Sequence, residues 1–134
     1  MRALLPRIAL ALLAVLLVAW FAVLYRDERI GQEASDRLHA NPRMSDAEWA
    51  RQLEQLRRAD LLNPQSEWRM TRANYLLLRD KPAARRLAES VLRDEPDNLD
   101  AWRVVLFATR GRDPARASEA LAEIARLDPL SAGG

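Results

Sequence analysis

The chain has no cysteine, one histidine and one lysine. Without cysteine there is no disulfide, no iron–sulfur cluster and no thiol nucleophile, so the fold is held by packing alone. The lone His39 has no cysteine and no carboxylate cluster beside it and reads as a surface residue, not a metal ligand. Glycine is scarce, and its four copies are isolated or terminal, which excludes a glycine-rich phosphate loop. Ser45, Ser66, Ser90 and Ser118 have no base nearby in the sequence. The acidic pairs Asp94 with Glu95 and Asp97 with Asp100 fall at a helix end and the next helix start, where capping explains them better than acid–base catalysis. The expectation is a protein without catalysis of its own, with no metal and no cofactor.

A charge bias is missing too. Residues 26–134 carry 19 basic and 19 acidic side chains, and the formal net charge of +2 comes from Arg2 and Arg7. Twenty of the 21 basic side chains are arginine, as codon usage in a GC-rich bacterial genome would produce, and they form no continuous tract. No nucleic-acid partner is expected.

What the chain does have is one long apolar run. The 18 residues from Ile8 to Tyr25 contain no charged or amide side chain, which is the threshold for spanning a bilayer. The exit, Val18 to Tyr25, has no small-x-small cleavage pair, because Trp20 and Phe21 crowd each candidate. Trp20, Phe21 and Tyr25 instead suit an aromatic belt at a membrane interface. The run is therefore read as a retained single-pass anchor in the cell membrane, meeting the lipid through residues 8–25. A short basic tail before the first apolar run favours a cytoplasmic N-terminus and an extracytoplasmic remainder, although Arg26, Arg29, Arg37 and Arg43 weigh against this by strict count. Ile30, Ala34 and Leu38 continue a helical spacing beyond the run, and Gly31 costs only about 1 kcal/mol there against alanine. The anchor is expected to run on into a stalk until Asn41-Pro42 stops it.

The second thing it has is a repeat. Asn63-Pro64, Glu95-Pro96 and Asp128-Pro129 end three stretches, and the prolines are 32 and 33 residues apart. Trp68 and Trp102 are 34 apart. Ser45 to Glu48 has capping-box spacing, followed by Trp49, Leu53, Leu56 and Ala59 on one helical face. The next stripes are Trp68, Thr71, Tyr75 and Leu78, then Ala84, Leu87, Ala88, Val91 and Leu92 after a turn at Arg79–Pro82. The last pair has Trp102, Val105, Leu106 and Thr109, a turn at Gly111–Pro114, and Ala117, Leu121 and Ile124 facing inward, with Ala120, Ala125, Leu127 and Leu130 left on the far side. The tryptophans fall on these stripes and read as core rather than as a recognition box.

These residues resemble the tetratricopeptide repeat, a helix–turn–helix unit of about 34 residues. Trp68 and Trp102, Tyr75, the small Ala84 and Ala117, the pair Leu121 and Ile124, and the closing prolines carry the resemblance over residues 65–129, with residues 45–64 as a second helix paired to the stalk. Arg72 and Leu106 stand where the family has a small residue, and Thr109 where it has tyrosine. The resemblance implies an all-α chain: a single transmembrane helix followed by a short α-solenoid of about two to two and a half helix hairpins. The division is 1–25 anchor, 26–44 stalk and linker, 45–129 repeats and 130–134 flexible tail. It also implies a concave face formed by Ser66, Arg69, Ala73, Leu77, Asp100, Arg103, Phe107 and Arg110, with Arg69 and Arg103 equivalent and suited either to an acidic partner or to acids one turn away. The lysine–asparagine pattern of chaperone-tail binders is absent, since Ala73 and Phe107 occupy the asparagine positions. The expected function is that of a membrane-tethered adaptor for a protein or extended peptide. The alternative is a structural subunit packed in a larger membrane or envelope-assembly complex. No polar end helix follows Pro129 here, so the last pair is expected to self-associate or to be covered by a partner.

Overall fold

Short polar side chains set the helix starts. Ser45 accepts from the backbone N–H of Glu48 while the Glu48 carboxylate accepts from the Ser45 N–H at 3.1 Å, a complete capping box. Asp80, Asn98 and Asp113 each accept from the N–H three residues on, at 2.9, 3.0 and 3.1 Å. Pro82 and Pro114 sit in the first turn behind the two aspartates, where a missing N–H costs nothing. Gly111 turns the chain back between the last two helices with φ +80°, a left-handed conformation that needs glycine.

The computed structural model describes residues 4–41, 43–61 and 66–130. The described residues are all-helical: α1 Leu4–Ala40, α2 Asp46–Asp60, α3 Glu67–Leu76, α4 Lys81–Asp94, α5 Leu99–Thr109 and α6 Pro114–Leu127. Each helix packs on the next, and α3 also touches α1 and α5. The Asn63-Pro64 stop, Pro42 and most of the expected C-terminal tail lie outside the described residues. α1 runs unbroken for 37 residues. Its N-terminal part is long and apolar enough to cross a membrane, by length and composition, and a signal sequence has the same character.

The core falls into two clusters. The first joins α1, α2 and α3 through Ala34, Leu38, Met44, Trp49, Leu56, Ala59, Trp68 and Tyr75. The second joins α3 to α6 through Met70, Ala73, Leu76, Ala84, Ala88, Val91, Ala101, Trp102, Val104, Val105 and Ala120. Leu53 packs against both. Trp68 and Trp102 are buried as the stripes required, and each indole N–H is satisfied: Trp68 donates to Glu28 at 3.3 Å and Trp102 to the Pro96 carbonyl at 2.8 Å.

Gly31 is a point of close approach between α1 and α3. A Cβ placed there would lie 2.6–2.8 Å from three atoms of the Trp68 indole. Gly31 is therefore the flat spot on α1 against which Trp68 lies, rather than a tolerated weak point in a stalk.

Two stripes differ from expectation. On α3 the buried residues are Trp68, Met70, Ala73, Tyr75 and Leu76, while Thr71 is partly open and Leu78 is exposed. On α6 the buried residue is Ala120, and Leu121 is 55% exposed. Helical spacing places Leu121 inward with Ala117 and Ile124, but α6 meets the second core cluster through Ala120, with Ile124 and Leu127 partly buried against it, and leaves Leu121 open.

Candidate functional site

The open stripe of α3 is polar. Glu67, Thr71 and Asn74 recur at helical spacing on its open or partly open side, and exposed Leu78 continues the line just past the helix end. Two adjoining cavities flank it. One, about 470 Å³, lies between Ser66, Glu67, Met70, Thr71 and Asn74 of α3 and Glu95, Asn98 and Asp100 of the α4–α5 connection. The other, about 410 Å³, lies between Thr71, Asn74, Tyr75 and Leu78 and the Ser35, Leu38 and His39 side of α1. Thr71 and Asn74 line both, so the two cavities meet at these side chains and together make up the candidate groove, with the Asn74 amide at the junction.

The acidic half of the groove is cross-linked by hydrogen bonds. Ser66 donates to Glu95 at 2.8 Å, and the Asn98 amide donates to Glu95 at 2.7 Å and to Ser66 at 3.2 Å. These donors, Asn98 first and Ser66 second, hold the Glu95 carboxyl below its ordinary pKa of 4.5. The other half is built on Tyr75. Its hydroxyl donates to the Ser35 carbonyl at 2.9 Å and also meets the Ser35 hydroxyl and His39 Nδ1. His39 is exposed, as its isolation suggested, but its ring stands edge-on to Tyr75 and forms part of the groove wall. Trp49 lies edge-on behind Tyr75, and Arg79 stacks over Trp49 at 4.2 Å while donating to Asp46 at 2.8 Å and to the Met44 carbonyl at 2.9 Å. α1, α2 and α3 are thus clamped together at this wall.

Of the eight residues assigned to a concave face, the groove contains Ser66 and Asp100. Arg69 is held between Asp60 and Asp94, at 3.3 Å from each. Ala73 is fully buried in the second core cluster and cannot meet a partner; α5 covers the face on which it lies. Leu77 is partly buried against the same cluster. Arg103 pairs with Asp100 at 3.2 Å and Asp128 at 3.4 Å. Phe107, near the end of α5, and Arg110, which caps it, are exposed and line neither cavity. Glu67, Met70, Thr71, Asn74, Glu95 and Asn98 also line the two cavities and are not among the eight expected residues. The polar residues at 67, 71 and 74 recur at helical spacing beside Tyr75, which is the one signal the sequence carries for them.

No protein-family model matches the chain, and no curated protein and no solved structure matches it either.

Proposed function

We propose that the chain is a membrane-tethered adaptor with a tetratricopeptide-like architecture, which holds an extended peptide or protein segment beside the membrane and performs no chemistry of its own. The groove along Glu67, Thr71, Asn74 and Leu78 carries this reading: it is open, walled by helices, and holds at the junction of its two cavities an amide able to pair with a peptide backbone. The solenoid reading is supported by the sequential helix contacts, by the touching of α1 with α3 and α3 with α5, and by the equal length and equivalent caps of α4 and α6. In this reading residues 8–25 lie in the cell membrane, the N-terminus is cytoplasmic and the array is extracytoplasmic. The balanced charge of residues 26–134 supports a protein partner over nucleic acid.

The test is a photo-crosslinking amino acid at position 74 of the full chain in its own membrane, with position 86 on the exposed side of α4 as control. A discrete adduct at 74 and none at 86 supports a groove ligand. Equal labelling at both positions, or none at 74, refutes it. The exposure of Leu121 and Phe107 favours a second reading, a structural subunit built permanently into a larger complex. That version predicts that an adduct at α6 still forms when the membranes are washed with high salt before irradiation, whereas an adaptor's ligand is removed by that wash.

A further inference from the structure

Helices α4 and α6 align residue for residue at an offset of 33, cap to cap, so their burial is directly comparable. Ala84, Ala88 and Val91 are fully buried. Their equivalents are Ala117 and Ile124, partly open, and Leu121, 55% exposed. At the matching offset of 34, buried Ala73 corresponds to Phe107, 52% exposed. In the inner unit these four positions belong to the cluster that α5 completes with Ala101 and Val105. Among the described residues no helix follows α6 to do the same. Exposed Phe107 and Leu121, with partly open Ala117 and the outer side of Ile124, whose inner side packs on the core cluster, present the surface that α5 covers in the inner unit.

Its occupant is specified by size and charge. Phe107, Leu121 and Ile124 are larger than Ala73, Ala88 and Val91, so the seated helix must carry smaller residues on its facing stripe than α5 does. α5 starts beside the C-terminal end of α4, so a helix seated in the same sense ends beside the α5–α6 turn. That turn holds Arg110 and Arg112. The neighbouring arginines are all paired: Arg103 with Asp100 and Asp128, Arg116 with Glu89 and Glu119, and Arg126 with Asp97 and Glu123. Arg110 and Arg112 are exposed and have no carboxylate partner among the described residues. Arg110 also replaces Leu76, which is buried in the inner unit. We propose that this end of the array binds an amphipathic helix of a partner protein, with an alanine-rich apolar stripe and carboxylates in its last turn. The partner's negative helix terminus adds to the same match. This surface lies apart from the groove and does not depend on the groove reading.

The probe is a synthetic helix of about four turns with an alanine and leucine stripe, ending in two glutamates, and a twin ending in two lysines. Both are titrated by fluorescence anisotropy onto the full chain in lipid nanodiscs. The glutamate peptide should bind about tenfold more tightly than its twin. Leu121→Asp, at an exposed site where the circular dichroism should stay unchanged, should abolish binding. The Arg110→Ala, Arg112→Ala double variant should equalise the two peptides, and Asn74→Arg in the groove should change nothing. The proposal fails if neither peptide binds below about 0.1 mM, if the two bind equally to the parent chain, or if Asn74→Arg removes binding. It also fails if the parent chain sediments as a dimer that Leu121→Asp converts to a monomer, because the occupant is then a second copy of this chain.

Discussion

Replacing Gly31 with alanine separates two effects of opposite sign. On helix propensity alone, alanine is better than glycine in a helix interior by about 1 kcal/mol. Here the added methyl would lie 2.6, 2.7 and 2.8 Å from the Cε2, Cζ2 and Cδ2 atoms of Trp68. The ring has little room to retreat, being 4% exposed and tied to Glu28 at 3.3 Å. Inserting a methyl group into a packed core costs about 1–3 kcal/mol, and three clashes on a rigid ring place this case at the upper end. The net is a destabilisation of about 2 kcal/mol, or a fall in Tm of roughly 8–16 °C for an array of this size. Thermal melts of the full chain in detergent micelles, followed by circular dichroism, give the comparison. Gln32→Ala, at the exposed neighbouring position, is the control and should shift little. In a Trp68→Leu background the Gly31→Ala change should become neutral or stabilising. A rise in Tm of several degrees in the otherwise wild-type chain would refute the packing argument, because propensity would then have won.

Trp102→Ala should cost about 3–5 kcal/mol, while Arg103→Ala should stay within about 0.5 kcal/mol because its pairs are solvent-screened; equal losses would mean the α5 face is misassigned. Arg69→Ala is not its equivalent: it removes the hydrogen-bond partner of Asp60, whose other carboxylate oxygen is buried without one, and should lower stability by about 1–3 kcal/mol in urea titration. Stability should also fall with acid. Hydrogen bonds from Ser45 to Glu48, from Asn98 and Ser66 to Glu95, and from the Arg116 backbone and Arg85 to Asp113 lower these pKa values, and Arg57 takes Glu54 down to about 2. A lowered folded-state pKa stabilises fully above the ordinary value and is lost as pH falls through the folded one, so the Tm should decline from about pH 4.5 towards 2, and a flat profile there would contradict the assignments. Finally, the intact mass of membrane-extracted protein should include residues 1–25; a mature form starting near residue 20–26 would show a cleaved signal instead.

The helices were legible because prolines, caps and periodic apolar residues agree on where each begins and ends. Ser45 and Glu48, Pro82 and Pro114 sit in the helix starts that their chemistry required. The stripes of α2 and α4 were legible for the same reason, since small and aliphatic residues there face one way only. Size misled elsewhere. Leu78 and Leu121 are large, apolar and exposed, while Ala73 and Ala120 are small and buried. Burial at those positions depends on which neighbour arrives, a long-range fact that local spacing does not contain. The expected exposure of Ala73 fails for the same reason, because a rotation of α3 that opens Ala73 also turns Thr71 and Asn74 away from solvent. The role of Gly31 was out of reach for a related reason: nothing local to it announces a tryptophan 37 positions further on.

α1 has no joint. The same helix that holds the apolar segment continues through Gly31, Ala34 and Leu38 into the first core cluster. With residues 8–25 in a bilayer, Ser35 and His39 stand roughly 15–20 Å beyond Tyr25 along the axis, at 1.5 Å per residue. The array is then mounted like a blade on a shaft rather than on a leash. Each residue added or removed between Tyr25 and Ile30 would swing the groove by about 100° around that shaft and shift its height by about 1.5 Å. Tilt or rotation of the shaft, imposed by a neighbouring helix or by bilayer thickness, would reach the groove as a change of aim with no change in its shape.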